Sequence, residues 1–377
     1  MILHVIDALY PGGAERVLVE LVNALDAAGL QVGVCVTREG VDLADELRPG
    51  IAVEVLGRQS RWDVQGLRSF AKYCRRNRVT IIHAHGRSSA TFVALARLLL
   101  PRRIRLVMHD HNGRDVQVTP LLGLISRHLY HAYVCVSEGL YTWALSRLAL
   151  PPEKCLILAN AIDVSRFTTQ PRFDDKKPLK GVLLANLRPE KSHLLVLDAV
   201  AGSPTLRENM RLAFVGSGLE SEQGRLIVDR RNKLGLEGVV SIDGGRRSVE
   251  TVLAEADFGL VASRVEAGPV VSLEYMAAGL PFVTTRTGQV AGLTEGQGVC
   301  LVVPPGDMLA MRQALEELVE TTSSERQVMG VQGRAFLEQH FGLSKQVQRL
   351  IRLYAHVLPA GEERDRYLAL SGSAQPT

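Results

Sequence analysis

The stretch Arg264-Val265-Glu266-Ala267-Gly268-Pro269-Val270-Val271-Ser272-Leu273-Glu274-Tyr275-Met276-Ala277-Ala278-Gly279-Leu280-Pro281 decides the fold. It carries two glutamates eight positions apart. The residues before it, Ala256-Asp257-Phe258-Gly259-Leu260-Val261-Ala262, read as a buried strand. Residues 270–278 read as a helix that Gly279 caps and Pro281 stops, because glycine takes the left-handed conformation and proline cannot continue a helix. A strand, loop and helix in this order leave free N–H groups at the helix start, and these suit an anion. Glu266 sits in the loop at the helix's positive end, and Glu274 about one turn inside the helix. The two carboxylates then flank that anion and grip hydroxyl groups on either side. Sugar hydroxyls, a diphosphate and ribose hydroxyls, joined as in a sugar nucleotide, have this shape.

Around this unit, runs rich in Val, Ile and Leu alternate with helical patterns. In the second half, residues 181–185, 211–215, 239–242, 258–262, 282–285 and 299–303 read as strands, and a helix over 308–320 follows Pro304-Pro305-Gly306-Asp307. In the first half, 2–6, 32–37, 80–84, 105–108 and 132–136 read as strands, with a helix over 14–28 after the first. This is the pattern of parallel sheets covered on both faces. It breaks at the polar, proline-bearing stretch 167–178, which reads as a linker. At 377 residues the chain exceeds one ordinary core. The expected class is α/β, with two facing Rossmann-like doubly wound domains at 1–170 and 171–345. Ligands of such sheets bind beyond the carboxyl ends of the strands, which places the site in the cleft between the domains. Residues 346–377 add a C-terminal helix, amphipathic over 344–358 and packing back on the first domain, and a polar, disordered tail from 370.

Hydrophobic content of 46% with 22% charged residues is ordinary for a globular protein. The net charge of +4 and 5% aromatic content give no basis for nucleic-acid binding. Cys35, Cys74, Cys135, Cys155 and Cys300 are scattered and never spaced as a metal clip, so they read as reduced, buried thiols. Residues 1–7 form a strand-like run with no basic leader, and the apolar run 90–100 is interrupted by Arg97 and too short to span a bilayer. A cytoplasmic location is the expectation. Residues 94–105 combine an apolar face with Arg97, Arg102, Arg103 and Arg105. They suit an anionic membrane surface, although a core helix with a solvated end is the more ordinary reading.

Several shorter motifs lie at strand ends. Gly12-Gly13-Ala14-Glu15 opens the first helix, where paired glycines admit a diphosphate or an acceptor close to the backbone; a plain strand-to-helix turn fits equally. Val215-Gly216-Ser217-Gly218 is weak alone. Asn186-Leu187-Arg188-Pro189-Glu190-Lys191 supplies two cations for a leaving diphosphate, or simply a solvated turn. His109-Asp110-His111-Asn112 follows the strand at 105–108, and His83 and His85 resemble it at another strand end. His-x-His with one Asp and no second cluster is a weak zinc signal. A histidine at such a strand end suits a hydrogen bond to a transferred group, but either pair is as ordinary in a structural role. No Asp-x-Asp for a metal on a diphosphate, no nucleophile elbow and no P-loop occur.

Together these residues resemble the family 4 retaining glycosyltransferases of the GT-B fold. The resemblance runs from Gly12 to about Asp307 and is most specific over the strand, Glu-x7-Glu loop and helix. Supporting matches are Val136-Ser137-Glu138, Asn160-Ala161-Ile162-Asp163 with Phe167, Ala185 to Lys191, Val215 to Gly218, and Val303 to Asp307. It implies that Glu266 contacts donor-sugar hydroxyls and Glu274 the ribose, while Lys191 and the amides around Gly268, Pro269 and Val270 bind the diphosphate. It implies that Gly13 sits beside that diphosphate, that Gly216 lines the donor site and that Arg246 borders the base. His111 faces the sugar, with His109 and His85 as weaker candidates. Two departures stand out. The family's usual Gly-Arg-Leu reads Ala185-Asn186-Leu187, leaving Arg188 to replace the arginine missing at Asn186. Pro269 replaces a glycine and removes an N–H.

The expected reaction is transfer of a sugar from a nucleotide diphosphate donor to a saccharide or lipid-linked acceptor, with retention, without a metal and without a further cofactor. Glu266, Lys191, Arg188 and His111 are the residues expected at the reacting centre. Peripheral contact with an anionic membrane and a role in envelope polysaccharide or glycolipid assembly go with that reading. The competing readings are a nucleotide-sugar epimerase of the same fold and a non-catalytic donor-binding subunit.

Overall fold

Short runs of β-branched and aliphatic residues separated by amphipathic helices leave the strands buried on both faces, and parallel pairing with helical crossovers follows. In the computed structural model, which describes residues 1–60, 62–111, 120–168, 178–245 and 248–372 (without the side chains of 120–122), the chain forms two compact units. The first unit comprises Met1–Ile162 and Gly342–Thr377, and the second Asp163–Phe341.

The first unit holds a seven-stranded parallel sheet: β1 (Ile2–Ile6), β2 (Val32–Val36), β3 (Ala52–Val55), β4 (Ile81–His85), β5 (Arg105–Asp110), β6 (Ala132–Cys135) and β7 (Cys155–Ile157). Their order is β3-β2-β1-β4-β5-β6-β7. Both edge strands lie outside the sequence expectation. β3 reads Ala-Val-Glu-Val and is half exposed, and β7 has three residues, so neither shows the apolar run of a central strand. β5 runs two residues further than expected and takes His109 and Asp110 into the sheet. The helix Leu343–Val357 packs against the helix Gly13–Ala27 of this same unit and buries Val347, Leu350, Ile351 and Tyr354. A further helix, Glu362–Leu370, follows, and Ser371 is fully buried, its N–H bonded to Tyr367 O at 3.0 Å. Of the tail expected to be disordered from residue 370, residues 370–372 end this helix in a turn, and residues 373–377 lie outside the described residues.

The second unit holds a six-stranded parallel sheet: β8 (Leu179–Leu184), β9 (Met210–Val215), β10 (Val240–Asp243), β11 (Phe258–Val261), β12 (Phe282–Thr285) and β13 (Leu301–Val303). The order is β10-β9-β8-β11-β12-β13, so the chain reverses direction across the sheet between β8 and β11. Phe214, Phe258, Leu260, Val196 and Leu315 are among its fully buried core residues. Sequence-local caps fix the helix starts. Asp307 accepts from Ala310 N at 3.0 Å, Ser221 from Gly224 N at 3.0 Å, and in the first unit Ser137 accepts from Leu140 N at 3.3 Å.

Candidate functional site

In the second unit, the loops after β8, β9, β10 and β11 carry the motif residues, at the ends of strands where open α/β sheets bind ligands. The loop after β8 turns through Pro189–Lys191, and Ser192 is forced to φ 57° before the next helix. Arg264 N donates to Glu190 O at 2.8 Å and ties this loop to the one after β11. Across that tie, the Lys191 ammonium and the Glu266 carboxylate form an ion pair. Ser263 Oγ donates to the same Glu266 oxygen at 2.7 Å, and Thr285 Oγ1 holds Ser263 O at 2.7 Å. Glu266 is therefore fixed from two directions, with its side chain 16% exposed. Arg188 lies on the same turn with an exposed side chain.

The helix Val270–Ala277 starts at Pro269, its N-cap. No side-chain hydrogen bond caps it, so the first amides lie at the helix's positive end without a side-chain acceptor from its N-cap. Gly288 presses on this loop, and a Cβ there would lie 2.8 Å from Pro269 Cδ and 3.2 Å from Ala267 O. Glu274 is 5% exposed on the helix. Its neighbour Tyr275 pins the helix to the sheet. The Tyr275 hydroxyl accepts from Leu184 N at 3.1 Å and donates toward Val182 O at 3.0 Å and Leu260 O at 3.2 Å. Gly259 leaves room for that ring.

Asn186 occupies the place of the arginine that the resemblance leads one to expect. Its Oδ1 accepts from Ser217 N at 3.1 Å and Ser217 Oγ at 2.7 Å, which joins the loops after β8 and β9. A Cβ on Gly216 would run into the Ala185 carbonyl, and Gly245, at φ 76°, packs on Gly216 in turn. Arg246 lies outside the described residues. His193, which the sequence reading did not single out, is fully buried on the edge of Phe214, and burial, then Lys191, pushes its pKa down to about 4.

In the first unit, Gly12 caps the helix Gly13–Ala27, and a Cβ on it would strike the Glu15 carboxylate. Gly13 itself is exposed. His4 lies opposite His83, and His85 opposite His109, in the sheet register. Alternation along each strand therefore sets His4, His83, His85, His109 and then His111 on one face of β1, β4 and β5. Tyr354 joins them, at 2.6 Å from His83 Nδ1 and 3.4 Å from His4 Nε2. His4 Nδ1 faces His85 Nε2 at 2.9 Å, and His85 Nδ1 faces His111 Nε2 at 3.0 Å. Burial holds the rings neutral. It pushes His4 and His111 down to about 3, and burial with the neighbouring rings takes His83, His85 and His109 well below the usual range. Asp110 is on the opposite face, where Arg87 reaches it twice at 3.0 Å and the Tyr133 hydroxyl donates at 2.7 Å. It is no part of a His109–Asp110–His111 metal set, because strand neighbours alternate faces.

Ser263, Thr285, Tyr275 and Tyr354 are the contributors that sequence reading missed. Ser263, three residues before Glu266, and Tyr275, next to Glu274, stood beside a recognised motif in the sequence.

Residues 11–166 match the model for Glycosyltransferase Family 4, and residues 180–321 the model for Glycosyl transferases group 1. The N-acetyl-alpha-D-glucosaminyl L-malate synthase of Bacillus anthracis is 25% identical over 79% of this chain and 80% of its own length. The phosphatidylinositol N-acetylglucosaminyltransferase gpi3 subunit of Schizosaccharomyces pombe is 24% identical over 66% of this chain and 54% of its own length. The chain spans about half the length of several curated relatives that it matches, 46% to 57%. The structure of Anabaena Alr3699/HepE in complex with UDP-glucose superposes with a TM-score of 0.82 at 19% identity, covering 94% of this chain and 99% of that one, which shows the shared fold. With both halves matched in order and two Rossmann-like parallel sheets in place, the chain belongs to glycosyltransferase family 4, of GT-B type.

Proposed function

We propose that this protein transfers a sugar from a nucleotide diphosphate donor to an acceptor hydroxyl, with retention at the anomeric carbon and no metal on the diphosphate. The observation that carries this reading is the Lys191–Glu266 pair, steadied by Ser263, beside the uncapped start of the helix Val270–Ala277. A donor that inserts here exchanges the pair's mutual attraction for its own groups: phosphate oxygens on Lys191 and the Val270 and Val271 amides, and sugar hydroxyls on Glu266. Glu274 takes the ribose, and Arg188 adds charge on the leaving phosphate. His111 and Gly13, in the first unit, are the candidates for the sugar and the diphosphate there. The anomeric C–O bond to phosphate breaks, and the acceptor oxygen bonds to the same face. The acceptor's proton passes to the departing phosphate oxygen. Fixed cations and helix-end amides stabilise the charge that develops there.

The acceptor is a saccharide or a lipid-linked acceptor, in keeping with the phosphatidylinositol N-acetylglucosaminyltransferase relative. Among the described residues no helix is long and apolar enough to cross a membrane. Leu98 is 95% exposed and adjoins Arg102 and Arg103, which suits peripheral binding to an anionic cytoplasmic leaflet. Loss of binding to anionic liposomes in Leu98→Glu checks this contact.

A thermal-shift screen over nucleotide sugars tests the donor assignment. A true donor raises Tm, by about 2.7 kcal/mol of added stability at a hundredfold excess over Kd. A screen in which no nucleotide sugar moves Tm removes the proposal. Anomeric configuration of the product, read by NMR, then checks retention.

A further inference from the structure

The sequence offers His109 and His111 without a second cluster, and the fold supplies that cluster. One face of β4 and β5 presents His85 and His109, His111 follows just past the end of β5, and one ring nitrogen from each of the three lies within 4.8 Å of the other two. His85 Nδ1 and His111 Nε2 face each other at 3.0 Å. Three buried nitrogens of the group, Nδ1 and Nε2 of His109 and Nδ1 of His111, have no hydrogen-bond partner among the described residues, although His109 is 1% exposed. Leaving such atoms unmatched costs about 1–3 kcal/mol each, and a site with several of them points to a ligand.

We propose that His85, His109 and His111 form a binding site for a divalent transition ion of the zinc class. Two imidazole nitrogens about 3 Å apart hold either one shared proton or one metal ion between them. Bonds of about 2.1 Å in tetrahedral geometry put ligand nitrogens about 3.4 Å apart, so the His85–His111 pair is already within that span. Rotation of the His109 ring brings one of its unmatched nitrogens in. Imidazole-only donors select Zn²⁺, Co²⁺ or Ni²⁺ over the oxygen-seeking Mg²⁺ and Ca²⁺. His4 supports the set from behind, because its Nδ1 lies 2.9 Å from the other nitrogen of His85 and orients that ring. Three protein ligands leave a fourth position for water or a ligand oxygen. The site lies within the first unit, and its evidence and test do not depend on the donor assignment.

The test is a Co²⁺ titration of tag-free, chelator-treated full chain, read by visible d–d absorption and then by displacement with Zn²⁺. One equivalent of Co²⁺ in a tetrahedral spectrum is expected, displaced by Zn²⁺. Affinity falls at least ~10-fold in His111→Gln and in His109→Gln, and stays unchanged in His128→Gln, an exposed histidine outside the cluster. His111 is only half-buried, so its variant keeps the question open to a folded protein even if His109→Gln unfolds. Absence of a tetrahedral spectrum overturns the proposal, as does wild-type affinity in folded His111→Gln or loss of binding in His128→Gln.

Discussion

Lys191 and Glu266 show how little a functional ion pair contributes to stability. Their side chains are 27% and 16% exposed, and such a pair is worth no more than about 1 kcal/mol. On the proposed reading the same charges meet a diphosphate and a sugar, and their consequence for transfer is far larger. Lys191→Ala and Glu266→Ala are each expected to slow donor turnover 10²–10³-fold, roughly 3–4 kcal/mol of transition-state stabilisation, with Tm nearly unchanged; release of nucleoside diphosphate measures it. The histidines behave in the opposite way. His4, fully buried, ordinarily titrates near 6.5 but is held at about 3 by burial. Below 6.5 the unfolded chain takes up protons that the native rings refuse. Stability is thus full above that value and falls with pH down to about 3, by up to ~1.4 kcal/mol per ring per pH unit. Melting curves should show Tm steady above about pH 7.5 and dropping steeply toward about pH 5. His4→Gln should flatten that slope, and a flat wild-type profile would contradict buried neutral rings.

Elements place these residues through contacts that no local pattern announces. The helix Val270–Ala277 was legible from its small residues, Gly279 and Pro281, but its attachment was not. That depends on the Tyr275 hydroxyl reaching backbone groups of β8 and β11, 91 residues away at Leu184. Tyr275→Phe leaves the Leu184 N–H buried without a partner and should cost about 1–3 kcal/mol, read as a lower Tm, together with weaker donor binding through Glu274. Gly216 is another such point, since a Cβ there meets the Ala185 backbone, which cannot move aside as a side chain does. Gly216→Ala should destabilise by about 1–3 kcal/mol. Asp307→Ala removes only one cap bond and should cost about 1 kcal/mol, so calorimetry should rank the two substitutions in that order.

At the scale of the whole molecule, the chain's last helices belong to the unit that its first residues begin. Tyr354 reaches His83 and His4, and the Glu363 carboxylate accepts from Thr80 at 2.7 Å. A chain ending at Phe341 should therefore lose the thermal transition of the first unit while retaining that of the second, and differential scanning calorimetry would show one transition surviving. By itself the sequence determined the alternation of buried strands and helices, the cap at Gly279 and the Glu-x7-Glu unit. Each of these is set by residues within a turn or two of one another. It also held His83, His85, His109 and His111 in plain view as pairs. Only the tertiary structure decided that they join His4 in a single row, that Asp110 turns away to Arg87, and that Lys191 meets Glu266. Those outcomes depend on which strands pair and in what register, and register is fixed by burial across the whole sheet, not by neighbours along the chain.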